Sequence, residues 1–450
     1  MSRLFGTDGV RGVANSVLTP ELAFSLGRAV TMHFSQKEKK PLIFIGRDTR
    51  LSGKMLESAL AAGICSAGGD VCLLGVLPTP AIAYLTKTHM ATLGVVISAS
   101  HNPYMDNGIK FFSSTGHKLP DETEDAIEQI MKNDSLAGSK ERLVNERIGT
   151  IDVNKRLATD YVQHVVKSLD CDLRGLKVVL DCANGAGYEV APMILKLLGA
   201  EVIVLFNEPN GININDNCGS THLENLKKAV IAHGAAIGIA NDGDADRCLV
   251  VDESGCEVDG DQIMLICALE LMKKGKLKDN TLVTTVMSNI GLHMAMKEHG
   301  GRCEVTAVGD RYVLEMMLEK GYSLGGEQSG HVIFSEFATT GDGIVTATQL
   351  LRCMIKNNQS LSALAKLMTR YPQVLVNARV LNKHGWEEND KIKTAIEAAK
   401  KQLGESGRIL VRASGTENLI RVMAEGPNQK QLDVLAHELA QIILDEQGAV

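Results

Sequence analysis

Apolar and polar positions follow two rhythms along this chain. Short apolar runs, Pro41 to Gly46 (PLIFIG), Asp70 to Leu74 and Leu93 to Ser98 (LGVVIS), predict buried strands, and 54–67 between them predicts a helix. The same alternation restarts near Leu176 (LKVVLD) and runs through Glu201 to Phe206, Ala235 to Ala240 and Cys248 to Val251. It restarts again near Gly260, with a helix over 262–274 and strands at Thr281 to Val286 and Gly321 to Leu324. Strands alternating with helices point to α/β layers with a largely parallel sheet. After Tyr371-Pro372 the pattern changes to a strand (about 373–381), a helix (390–403), two strands (408–412 and 419–424) and a helix (429–444), which predicts a small α+β domain.

Three of the strands empty into polar, glycine-containing loops: ISASHNP at 97–103, ANDGDADR at 240–247 and GGEQSGH at 325–331. Ligands in open α/β sheets bind beyond the carboxyl ends of strands. Three such loops therefore suggest three domains facing one cleft.

The 450 residues, 44% apolar and 22% charged, are ordinary for a folded globular chain of several domains and speak against disorder, collagen and coiled coil. A net charge of −7 argues against a general nucleic-acid or anionic-membrane surface and leaves room for local basic pockets. The ten cysteines form no C-x-x-C, so neither a zinc cluster nor a redox pair is signalled, and reduced thiols in a cytoplasm fit best. Met1 leads into Ser-Arg-Leu-Phe-Gly without an apolar leader segment, and no apolar run approaches the roughly 20 residues of a membrane span. A cytoplasmic location with no membrane partner is expected.

The loops carry the chemistry. Asp242, Asp244 and Asp246 stand at alternate positions, which on an extended loop would point three carboxylates the same way and suit a hard divalent cation. An EF-hand is rejected: Glu253 falls at its twelfth position, but Arg247 replaces the required glycine and strands flank the loop. Ser98, Ser100 and His101 lie at a strand tip before the turn-forming Asn102-Pro103, where a serine should be accessible. Glu327, Ser329 and His331 offer sugar-hydroxyl acceptors and a proton carrier. Arg412, Ser414, Gly415 and Thr416, with Arg421 on the next strand, have the make-up of a phosphate cradle. Serine, metal and phosphate together form a phosphoryl-transfer set. Two local matches read as structural instead. Gly321 to Gly325 (GYSLG) imitates a nucleophile elbow without the strand-turn-helix it needs, and Gly185-Ala186-Gly187 imitates a dinucleotide turn with Val190 at the third glycine.

In this order the motifs SASHNP, DGDADR, GEQSGH and RASGT, with FGTDGVRG at the start and VGDRYV at 308–313, resemble the α-D-phosphohexomutase superfamily over nearly the whole chain. The resemblance implies an α/β fold of three related α/β domains with mixed sheets, 1–157, 158–255 and 256–370, plus a C-terminal α+β domain, 371–450, around one central cleft. It implies that Ser100 is phosphorylated for activity and that Asp242, Asp244 and Asp246 bind one Mg2+ per subunit with a phosphoserine oxygen. Arg11, His101, Lys110, Arg247 and His331 would surround the transferring phosphoryl group, with Lys110 or His331 carrying the proton. Glu327, Ser329, Asp310 and Arg311 would bind the sugar, and Arg412, Ser414, Gly415, Thr416 and Arg421 the non-reacting phosphate. The motif spelling is closest to the superfamily's glucosamine branch, which implies interconversion of glucosamine 6-phosphate and glucosamine 1-phosphate through a hexosamine 1,6-bisphosphate, on the way to UDP-N-acetylglucosamine. Asn418 departs from that branch, which commonly has proline there. Glucose and mannose phosphates remain alternative substrates, and a phosphatase is the rival of another class. A sugar phosphate is the expected partner, with no nucleic acid, and homodimers are common in the superfamily.

Overall fold

The computed structural model describes residues 3–6, 8–36, 40–133, 143–414 and 418–449. The chain forms two compact units: Met1–Met287 with Cys303–Leu367, and Ser288–Arg302 with Met368–Val450.

The first unit holds three sheets. One orders its strands Val10–Val13, Asp106–Ser113, Leu93–Ile97, Leu42–Arg47, Asp70–Val76 and Ile151–Val153. The second runs Glu257–Val258, Cys248–Asp252, Ile237–Asn241, Lys177–Asp181 and Glu201–Leu205, and the third Arg302–Thr306, Thr281–Thr285, Leu324–Gly326 and Val332–Phe334. The apolar runs read from sequence, such as Leu93–Ile97 and the first four residues of Ile237–Asn241, are buried along their length, as strands covered on both faces must be.

The sheets are mixed rather than largely parallel, and the switch falls at the same place in each. Leu93–Ile97 is parallel to Leu42–Arg47 and antiparallel to Asp106–Ser113. Ile237–Asn241 is parallel to Lys177–Asp181 and antiparallel to Cys248–Asp252. Leu324–Gly326 is parallel to Thr281–Thr285 and antiparallel to Val332–Phe334. Each of the three polar loops is therefore the tip of a hairpin at the parallel-to-antiparallel switch.

The predicted strand at Gly321 to Leu324 is corrected. Gly321, left-handed at φ 70°, caps the helix Asp310–Lys320, and the strand begins at Leu324. The GYSLG segment thus runs from a helix end into a strand, the reverse of a nucleophile elbow. Gly185 is also structural: a Cβ there would lie 2.4 Å from the Gly243 carbonyl oxygen, so the glycine admits close backbone packing of its loop on the acidic loop.

In the second unit an antiparallel sheet of Gln373–Arg379, Leu419–Glu425 and Arg408–Ala413 packs with helices Asp390–Leu403 and Gln429–Gln447. Its core includes Ile392, Ile420, Val422, Leu435, Leu439 and Ile443. Asn389 and Asn428 cap the two helices by accepting backbone N–H groups of the first turn. The segment Ser288–Arg302 is tied in by Asn289, whose Nδ2 donates to the Tyr371 carbonyl at 2.9 Å, and by Arg408, which donates to the Ser288 carbonyl. Among the described residues no helix is long and apolar enough to cross a membrane.

Candidate active site

Asp242, Asp244 and Asp246 each offer an oxygen lying within 4.8 Å of the others', and all three side chains are buried. Their convergence comes from a tight turn, not from an extended loop: Ala245 is left-handed at φ 56°, and its N–H donates to the Asp242 carbonyl. Asp242 accepts from Ser100 Oγ at 2.6 Å and from the Arg247 N–H at 3.2 Å. Asp244 accepts from Thr79 Oγ1 at 2.7 Å and from Lys110 Nζ at 3.0 Å. One oxygen of Asp244 and one of Asp246, both Oδ1, are buried without a hydrogen-bond partner. Burial, followed by repulsion from Asp246 and Asp244, pushes the Asp242 carboxyl well above its ordinary value. For Asp244 burial acts the same way, but Lys110 and Thr79 prevail and hold it low. Hard oxygen donors, unspent acceptors and mutual repulsion fit a Mg2+-type cation, and among the described residues no nitrogen or sulfur donor joins the set in the way zinc would favour.

The serine loop lies against this cluster. Ser100 is 2% exposed, not accessible as its place at a strand tip suggested, because the acidic loop covers it: a Cβ on Gly243 would stand 2.5 Å from the Ser100 carbonyl oxygen. Ser100 itself is left-handed at φ 53°. Fully buried Arg50 donates to the carbonyls of Ser100 and Asn102 at 2.9 and 2.8 Å, to Asp106 at 3.0 Å and to Pro103. Asp48 orients Arg50 at 2.8 Å and accepts from Ser98 Oγ at 2.6 Å. From the second sheet's side, Asn215 Nδ2 donates to the Ser100 carbonyl at 2.9 Å. Neither Arg50 nor Asn215 was marked by the sequence reading; each acts through loop carbonyls far along the chain. His101 Nδ1 lies 3.4 Å from Ser100 Oγ, and burial, then Arg247 and Arg11, lower its imidazole to about 4.

The glycine-rich loop joins the acidic loop through an antiparallel bridge between Arg247 and His331 and a Cys248 N–H bond to the Gly330 carbonyl at 3.0 Å. Glu327 Oε1 accepts from the Gly309 N–H at 3.0 Å, while the Ser329 hydroxyl is buried with no partner. His331 lies between Asp246, at 3.5 Å, and Asp310, at 3.6 Å. Burial opposes its charge, but Asp246, Asp310 and Glu327 push it up to about 9. The Gly341 N–H, 3.1 Å from Nε2, favours the neutral ring; one amide dipole is outweighed by three carboxylates.

Two residues absent from the sequence reading complete the surroundings. Asp8 pairs with Arg11, with Lys110 at 3.0 Å and with Lys118 at 2.6 Å; Lys118 also reaches Asp310 at 2.6 Å. Arg311 is engaged with Asp121 at 2.6 Å and Glu315 at 3.0 Å. Asp8 lies within FGTDGVRG, the one local signal that could have found it, whereas Lys118 lies in none of the motifs.

In the second unit Arg412 and Arg421 face each other directly across neighbouring strands. Burial and the Arg421 charge lower the Arg412 guanidinium from its usual value. Ser414 is buried, and Lys383, also unmarked by the sequence reading, donates to its carbonyl at 2.8 Å. Gly415 and Thr416 lie outside the described residues. The Asn418 carbonyl accepts from the Val380 N–H at 3.1 Å, a bond the more usual proline could equally accept.

A serine hydroxyl bonded to one of three clustered, buried carboxylates, with Lys, Arg and His nearby at the switch points of mixed α/β sheets, is the equipment of a phosphoryl-transfer enzyme. Known families agree with that class. Residues 2–137, 159–255 and 259–371 match the alpha/beta/alpha domains I, II and III of phosphoglucomutase/phosphomannomutase, and 375–442 match its C-terminal domain. The chain belongs to the phosphoglucomutase/phosphomannomutase family. It is 56% identical over 448 residues to the phosphoglucosamine mutase of Symbiobacterium thermophilum, covering 99% of this chain and 100% of that one. It is 52% identical over 451 residues to the phosphoglucosamine mutase of Clostridium novyi, covering 100% of both. Its fold is similar to that of a phosphoglucomutase/phosphomannomutase family protein from Burkholderia thailandensis (TM-score 0.83, 24% identity, 100% and 99% of the two chains). It is also similar to that of Aspergillus fumigatus N-acetylphosphoglucosamine mutase in complex with GlcNAc-6P and magnesium (TM-score 0.70, 18% identity, 99% and 96%).

Proposed function

We propose that this enzyme is a phosphohexomutase, an isomerase that interconverts glucosamine 6-phosphate and glucosamine 1-phosphate. The observation that carries the chemistry is Ser100 Oγ, 2.6 Å from a carboxylate of a buried acidic triad. Support for the sugar comes from full-length relatives above 50% identity that are phosphoglucosamine mutases. The division 1–157, 158–255, 256–370 and 371–450 is read as four domains, supported by four sheets and four matched family segments.

In the resting enzyme Ser100 carries a phosphoryl group. The P–O bond to Ser100 breaks as a bond forms to the free hydroxyl oxygen of the bound monophosphate; Lys110 or His331, each held charged by neighbouring carboxylates, takes the hydroxyl proton as it gives up its own, and a proton ends on the freed Ser100 oxygen. The resulting hexosamine 1,6-bisphosphate turns end over end, and its other phosphoryl group returns to Ser100 by the reverse step. Arg11, Lys110, Arg247 and His331 stabilise charge on the moving group, and neutral His101 lies beside the serine oxygen. Mg2+, held by Asp242, Asp244, Asp246 and a phosphoserine oxygen, would supply charge neutralisation there. Glu327 and the unpaired Ser329 hydroxyl hold sugar hydroxyls. Asp310, beside His331, and Arg311 bind the substrate. Arg412, Ser414, Gly415, Thr416 and Arg421 hold the phosphate that is not reacting.

The test is formation of glucosamine 1-phosphate with Mg2+ and a trace of bisphosphate, alongside intact-mass analysis for one phosphate mapped to Ser100. Free phosphate without isomerisation would make the protein a phosphatase. A tenfold or greater kcat/KM preference for glucose or mannose phosphate would reassign the sugar.

A further inference from the structure

Seven side chains, joined by six contacts, form a run of alternating charge that begins and ends in the acidic triad. Asp244 meets Lys110 at 3.0 Å, Lys110 meets Asp8 at 3.0 Å, and Asp8 meets Lys118 at 2.6 Å. Lys118 meets Asp310 at 2.6 Å, Asp310 meets His331 at 3.6 Å, and His331 meets Asp246 at 3.5 Å.

The run crosses each junction between the three sheet regions of the first unit once. Lys110, on the strand Asp106–Ser113, joins the first region to the second through Asp244. His331, at the tip between Leu324–Gly326 and Val332–Phe334, joins the third to the second through Asp246. Lys118, bridged to Phe112 beyond the same first-sheet strand, joins the first to the third through Asp310, the first residue of the helix Asp310–Lys320. Lys118 lies in none of the three loops, and its side chain is 17% exposed.

An ammonium within 2.6 Å of two carboxylates does something neither pair does alone. Without it, Asp8 and Asp310 would face each other as like charges in a poorly solvated place. Asp310 would draw away from His331, and Asp8 would lean further toward Lys110 and Arg11. Both consequences fall on side chains that line the reacting group, and neither falls on the grip of the distant phosphate.

We propose that Lys118 is a positioning residue: by bridging Asp8 and Asp310 it sets the glycine-rich loop, and His331 with it, against the serine loop. The inference rests on the mutase reading, so wild-type isomerase activity is established first; its absence would sink that reading and the role of Lys118 with it, whereas the outcomes below bear on Lys118 alone. With an active wild type, Lys118→Met lowers kcat roughly 10- to 100-fold, the scale of a misplaced catalytic group. KM stays within roughly threefold, as for an interaction felt in the transition state. Lys118→Arg, which can still bridge two carboxylates, recovers most of the loss. Asp310→Asn costs less in the Lys118→Met background than in the wild type, because it removes the repulsion that the first change created. If Lys118→Met does not fold, Lys118→Arg and the double variant, with neither charge left uncompensated, decide the matter. A Lys118→Met enzyme with unchanged kcat, losses that multiply independently in the double variant, or a rise in KM alone would overturn the proposal.

Discussion

The two units carry opposite versions of one device. In the first, three carboxylates are pressed together and buried; in the second, two guanidiniums are set side by side across neighbouring strands, with a lysine donating to the adjacent loop. Each cluster repels itself and is therefore the counter-image of what would relieve it, a cation in one case and a dianion in the other. The difference lies in the support. The acidic loop is fixed by Thr79, Lys110, Ser100 and a bridge to the glycine-rich loop, whereas Arg412 and Arg421 are partly buried side chains on a three-stranded sheet. A buried, heavily tethered cluster suits bond making; a half-exposed one suits holding and letting go.

The sharpest break in this comparison is Ser100→Ala, which leaves both clusters intact and removes only the oxygen that would carry the phosphoryl group. Mutase kcat is expected to fall by at least about 10³-fold, as when a covalent nucleophile is lost, with the single-phosphate mass species gone. Asp242→Asn comes next. Asparagine mimics the protonated carboxyl: its Nδ2 can donate to Ser100 Oγ while its oxygen still accepts the Arg247 N–H. Activity should drop about 100-fold or more for loss of one charge partner. Asp242 has a raised folded-state pKa, so its stabilising contribution belongs to low pH and is lost as pH rises. The metal-free variant at pH 7 should therefore melt higher than metal-free wild type by about 2–4 °C, and Mg2+ should raise the melting temperature of wild type more than that of the variant. An unchanged or lowered melting point would show that the acidic cluster is not self-repelling.

Arg412→Met tests the basic cluster. Loss of one charge-assisted contact to phosphate, about 2 kcal/mol, should raise KM roughly 30-fold with kcat nearly unchanged. An equal fall in kcat would mean that this cluster also takes part in the chemical step. The one change expected to leave activity alone falls on the acid stability of the second unit. Burial, then the Arg408 charge, lowers His293 to about 4, below its ordinary 6.5. Its contribution is complete above pH 6.5 and is lost as pH falls through 4, up to about 3 kcal/mol. In His293→Gln the acid limb of a denaturation-midpoint profile should flatten between pH 6.5 and 4.

Much of this was legible in the sequence. Buried strands such as Leu93–Ile97 announce themselves because a strand covered on both faces is apolar at every position. The acidic triad shows through its spacing, although the geometry that gathers it, a left-handed Ala245, does not. The exposure of Ser100 was misjudged because the covering backbone at Gly243 comes from a different sheet. Arg50, Asn215, Asp8, Lys118 and Lys383 escaped for one physical reason: each works through a contact with a residue distant in sequence, and a single charged or amide side chain has no local periodicity to betray it. The strand misread at Gly321 did have a local signal, since a glycine after a helical run is a stop.

The left-handed backbone of Ser100 has a practical consequence for trapping complexes. A non-glycine residue at φ 53° carries a conformational cost that alanine inherits in full and glycine does not. Of the two ways to delete the hydroxyl, Ser100→Gly relaxes the loop and Ser100→Ala keeps it taut. The glycine variant is the better choice for a stable, inert protein to soak with a bisphosphate. The alanine variant is the better reporter of what the loop looks like under load.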